Sequence, residues 1–214
     1  MSFKRMAGWA GVGFVVLNVV AFLLFGTPPG ADAPASEIAD YVADAGNAYK
    51  VGTALTGIAT VLFVPFLAGL LVPFFRSDRE HSEGFGVVVF AGALLSGTAA
   101  TLGLSATAAL SLRAGAELDA ATTRALWDLS YVAYGSAILA VPILAGGAAM
   151  AIQKRGVMPD WFGNLSWLVA LLGFTGIFGL VSTSGLAYLL LAGYLGLLVW
   201  VLVAGIVLVR EQPA

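Results

Sequence analysis

Few side chains in this sequence are equipped for chemistry, so their placement carries the argument. Asn18 is an amide in the middle of an apolar run, where lipid offers its donors and acceptor no partner. Asp128 follows Arg124 by one helical turn and shares a helical face with Tyr131 and Gly135. That arrangement suits an interfacial ion pair, a polar mouth, or a proton-linked carboxylate. His81 lies in the charged stretch RSDREHSEGF and reads as a solvated loop residue. A single histidine outside the bilayer cannot supply bis-histidine haem ligation or an intramembrane metal site. The lack of cysteine removes thiolate nucleophiles, disulfides and thiolate-bound metals together. The stretch VSTSGL around Ser184 is similar to the serine turn of intramembrane proteases, but no membrane-embedded histidine exists to activate it, and it reads as a loop. No HExxH helix, Walker loop or GxSxG elbow is present. The expectation is a protein that is not an enzyme, with no catalytic residue, cofactor or metal.

Two prolines stand in a repeated phrase, VPFLAG at 64–69 and VPILAG at 141–146. Each lacks an N–H and crowds the carbonyl four residues earlier, at Val61 and Ile138, so kinks are expected near Pro65 and Pro142. Arg76 follows the first proline by 11 residues and Lys154 the second by 12. At 1.5 Å per residue both prolines then lie roughly 17 Å from a basic boundary, near mid-membrane. Either the phrase marks an internal duplication with two hinges lining a cavity, or it is a match of composition with two packing kinks.

The elements that position these residues follow from hydropathy. The 214 residues are 60% hydrophobic and only 10% charged, too little polar surface for a soluble monomer. Six apolar runs near bilayer length cover about 6–26, 48–75, 85–112, 125–152, 161–181 and 186–209. The fold class is therefore all-α, a polytopic membrane bundle of six transmembrane helices forming one domain over 1–214. The first span is preceded by basic residues and followed by ADAPA, like a secretory signal, yet its apolar core exceeds the usual ~7–15 residues, so a retained helix is expected. With the N-terminus inside, Lys4, Arg5, Arg76, Arg79, Lys154, Arg155 and Arg210 are cytoplasmic, against Lys50, Arg113 and Arg124 outside. That split of seven to three obeys the positive-inside rule and puts both termini in the cytoplasm of a multi-pass cell-membrane protein. A net charge of −2 without a basic stripe excludes nucleic acid as a partner.

Span three, with FAGALLSGTAATLGLSATAALS, carries small pairs such as Ala93 and Gly97, or Gly97 and Thr101. Its hydroxyls form two opposed stripes, Ser96, Thr107 and Ser111 against Thr98, Thr101 and Ser105. Span three is thus expected to be central, packed on two sides, with spans two and four against it. The longest polar connection contains TPPGADAPASEIADYVADAGNAYKVG. Ser36 can cap a short amphipathic outer helix over 36–45 that Gly46 and Asn47 end, with Ile38 and Val42 turned toward the bundle or the lipid headgroups and Glu37, Asp40 and Asp44 on another face. Through this loop, and through MPDWFGNLSWL at the start of span five, the chain resembles a family of uncharacterised bacterial integral membrane proteins with six helices and a proline-rich outer loop. The resemblance implies a bacterial membrane protein and brings no catalytic residues with it.

Two classes of function follow. One is a non-enzymatic scaffold or accessory subunit whose partners are membrane lipid, a second protein or another copy of itself. The other is a small permease, or a protein binding a lipid or apolar solute, with a cavity between the kinked helices. A cavity bounded by Asn18, Pro65 and Pro142 argues for the second, and a tightly packed interior for the first.

Overall fold

The computed structural model describes residues 2–81, 83–113, 118–182, 186 and 188–210, and among them all regular structure is helical. Ser184 lies outside the described residues. The helices are α1 (Phe3–Phe25), α2 (Ala35–His81), α3 (Phe85–Arg113), α4 (Ala120–Leu139), α5 (Val141–Arg155), α6 (Asp160–Leu180) and α7 (Tyr188–Arg210). Six stretches are long and apolar enough to cross a membrane, with α4 and α5 counting as one, and they match the six expected runs.

The spans close into a ring. α1 packs on α2 and α7, α3 on α2, α4 and α5, and α6 on α5 and α7. Glycine lets two of these seams come to backbone contact. A Cβ on Gly8 would stand 2.6 Å from the Gly205 carbonyl oxygen, and one on Gly92 would stand 2.3 Å from the Leu144 amide nitrogen. The most apolar stretch of the fourth span is 72% buried, against 28% for α3. The centre of the bundle is therefore α4–α5, not span three as expected. Of the two hydroxyl stripes on α3, only the one with Ser96, Thr107 and Ser111 is buried. Thr98, Thr101 and Ser105 face outward, and Thr101 and Ser105 satisfy themselves on their own helix, donating to Gly97 and Thr101 carbonyls. Hydroxyl spacing alone could not tell a packed stripe from a self-bonded one.

The doubled phrase does not produce a doubled structure. Helical backbone runs unbroken through Pro65, whereas the fourth span is interrupted at Ala140, with Pro142 in the first turn of α5. The faces differ too. Val64 is 66% exposed where Val141 is buried, and Phe66 is buried where Ile143 is 41% exposed. The expectation of matching kinks is corrected on this ground, although α2 and α5 both touch α3 as anticipated. At the break, the Ser96 hydroxyl donates to the Ala137 carbonyl at 2.9 Å, so a neighbouring helix satisfies an oxygen near the missing proline donor.

The short helix forms, with Ile38 and Val42 buried and Glu37, Asp40 and Asp44 exposed, as its amphipathic pattern requires. Ser36 is not its cap, because the helix begins at Ala35 with the Ile38 amide on the Pro34 carbonyl. Gly46, at φ 45°, ends it for a single residue before the second span continues in the same run.

Candidate functional site

One end of the bundle is solid and the other is hollow. From Pro65 and Val141 to the Arg155 end, Phe66, Leu70, Phe74, Leu144, Ile152, Phe162 and Trp200 form one continuous core. Trp200 donates its indole N–H to Ser166 at 2.8 Å and stacks on Phe162, packing α7 against α6. A bidentate pair from Arg155 to Glu83, at 2.9 and 2.5 Å, ties the far end of α5 to the α2–α3 turn. The guanidinium holds the Glu83 carboxyl below its ordinary range.

Toward the Gly26 end, α1, α2, α3, α4 and α7 stand apart around a cavity of about 780 Å³. On α1 its wall runs from Phe14 to Gly26, roughly 18 Å at 1.5 Å per residue, about half the thickness of a bilayer core. The walls stop at Phe63 on α2 and Ile138 on α4. Pro65 and Pro142 therefore lie just beneath the floor and do not line it. The break at Ala140 separates α4, which lines the cavity, from α5, which belongs to the packed half.

Asn18 is 7% exposed and lines the cavity on α1. Its amide donates to the Phe14 carbonyl at 2.8 Å, and its oxygen accepts the Tyr194 hydroxyl of α7 at 3.2 Å. The partner expected for a buried amide is thus a tyrosine on α7, the last helix of the chain and a direct neighbour of α1. Tyr131 also lines the wall, donating to the Gly179 carbonyl at 3.4 Å, with Gly135 one turn below. Asp128 does not line it. It pairs with Arg124 at 3.0 Å, the interfacial ion pair its position suggested. Arg124 in addition donates to the carbonyls of Ala31 and Ala33, strapping the 26–34 segment across the cavity end.

The feature missed in the sequence is tyrosine. The chain has six, and all six line this cavity: Tyr41, Tyr49, Tyr131, Tyr134, Tyr188 and Tyr194. Tyr41 and Tyr49 meet edge to face at 5.8 Å, Tyr41 meets Trp127 at 5.8 Å, and Phe25 meets Tyr49 at 5.3 Å. Burial pushes the Tyr41 hydroxyl up to about 12, so near neutral pH it stays a donor, held by the Phe25 carbonyl at 2.6 Å. The Thr56, Thr60, Thr107 and Ser130 hydroxyls on the wall donate to carbonyls of their own helices. No charged side chain is among the lining residues. Among the described residues no group of three or more histidine, cysteine, aspartate or glutamate side chains could hold a metal.

Gly97 belongs to this site and not to a helix seam. A Cβ placed on it meets nothing within 4 Å, which corrects its expected role in a small-residue packing pair.

No protein-family model, no curated protein and no solved structure matches this chain. The reading of its function accordingly rests on the cavity, and the family resemblance drawn from the outer loop carries no weight in it.

Proposed function

We propose that this membrane protein binds a lipid or apolar solute in the cavity at the Gly26 end, without catalysis. The observation that carries the reading is the cavity itself. Protein interiors are close-packed with few voids larger than a water molecule, so a space of about 780 Å³ is room for another molecule, and a wall of tyrosine, phenylalanine, alanine and leucine favours a largely apolar one. The size falls within the ~300–1,000 Å³ of sites that enclose drug-sized ligands. A scaffold acting through its outer surfaces has no use for such a space, so the binding reading is preferred to the scaffold reading. On the orientation set by the basic residues, the cavity faces the outer leaflet and the packed half faces the cytoplasm.

The test is native mass spectrometry of the full chain released from membrane into a mild detergent. One retained lipid-sized species per chain is expected, and Gly97→Phe, which projects a ring into the cavity, should abolish its retention while the protein still melts cooperatively. Equal retention by the wild type and Gly97→Phe would overturn the reading.

A further inference from the structure

The chemistry of the wall narrows the guest. We propose that it is an uncharged amphiphile, a hydrocarbon body ending in a hydroxyl or carbonyl oxygen, with that oxygen read by the Asn18–Tyr194 pair. The inference rests on the cavity being a binding site and goes on to name what the site takes.

Two observations carry it. First, no lining residue is charged, so an ion inside would lose its hydration with no counter-charge to replace it. The nearest ion pair, Arg124 with Asp128, is already closed on itself and on the Ala31 and Ala33 carbonyls. Second, the Thr56, Thr60 and Thr107 hydroxyls of the wall are satisfied on carbonyls of their own helices. Asn18 and Tyr194 instead bring two polar groups from two helices to one point. The bonds of Asn18 to Phe14 and Tyr194 use one amide N–H and one lone pair, which leaves the second N–H and the lone pairs of the Tyr194 oxygen for a guest. That is one donor and one acceptor, the complement of a hydroxyl.

The experiment compares three amphiphiles of one chain length: hexadecanol, hexadecyl sulfate and hexadecyltrimethylammonium. Each is titrated into delipidated full-length protein in nonionic detergent and read by native mass spectrometry. Hexadecanol should bind once per chain, at least about tenfold tighter than either ion. Asn18→Leu, which keeps the volume, and Tyr194→Phe, which removes only the hydroxyl, should each weaken it about three- to tenfold, the effect of one hydrogen bond. Gly97→Phe should prevent binding of all three. Binding of an ion as tightly as hexadecanol, with Gly97→Phe still blocking both, would overturn the uncharged class while leaving the site intact. Undiminished hexadecanol binding in both Asn18→Leu and Tyr194→Phe would overturn the assignment of the reading pair. No saturable binding of any probe, together with lipid retention indifferent to Gly97→Phe, would overturn the site itself.

Discussion

Two glycines on α3, five residues apart, should respond to the same substitution with opposite signs. At Gly92 a new Cβ would lie 2.3 Å from the Leu144 nitrogen, 2.7 Å from its Cα and 2.9 Å from the Ile143 carbonyl carbon. All three are backbone atoms, so no side-chain rotation relieves the clash, and α3 and α5 must separate. Overpacking of this kind costs about 1–3 kcal/mol. At Gly97 the same Cβ meets nothing within 4 Å, because the position faces the cavity. There the substitution removes only the helix penalty of glycine, a gain of about 0.5–1 kcal/mol. For a chain of this size each kcal/mol moves the melting temperature by about 2–4 °C. Gly92→Ala should then melt roughly 2–12 °C lower and Gly97→Ala roughly 1–4 °C higher, in one detergent and delipidated, followed by scanning fluorimetry. If Gly97→Ala destabilises as much as Gly92→Ala, the cavity wall is not open at α3 and the reasoning fails.

Other perturbations probe the remaining supports. Arg124→Met removes the strap on the Ala31 and Ala33 carbonyls and leaves Asp128 unpaired, so amide exchange over residues 26–34 should quicken about tenfold or more; unchanged exchange would show that the strap holds nothing. Glu83 has a depressed pKa in the folded protein, chiefly through its hydrogen bond to Arg155, so its contribution to stability is complete above its ordinary value of 4.5 and disappears as pH falls through the folded value. Melting temperatures in mild acid should therefore fall less steeply for Glu83→Gln than for the wild type, and parallel acid limbs would contradict this. Pro65→Ala lies in continuous helix and should leave hexadecanol binding unchanged, whereas Pro142→Ala closes the break at Ala140, shifts α4 and should weaken binding. Equal effects of the two substitutions would restore the repeat as a functional pair.

How much of this was legible in the sequence depends on whether a feature is local. The six spans and the short outer helix are local, because an apolar run of bilayer length and the Ile38–Val42 spacing each specify one element and one face. The Arg124–Asp128 pair is local for the same reason, being one turn apart on one helix. The cavity is not local. It lies where α4 stands off from α1, beside the break at Ala140, and Pro142 marks the break without announcing that Pro65 makes none. The tyrosines were in plain view, yet they sit on α2, α4 and α7 with no common period. Tyrosines near span ends ordinarily form an interfacial belt, and only tertiary packing turns these toward one another. A comparable ambiguity hid the centre of the bundle. The glycine and alanine of AGGAAMA in α5 are buried from Ala145 to Ala149, while the equally small residues of α3 divide between Leu144, lipid and the cavity.

The central claim is that a guest occupies the space between Asn18 and Tyr131, and its most direct test is an experimental structure of the full chain purified from its native membrane in a lipid nanodisc. Elongated density touching Asn18 and Tyr194 at its deep end, with α4 and α1 still apart, is the expected result. Helices closed on one another so that Tyr134 and Leu191 fill the space, or scattered water alone along the wall, would contradict it.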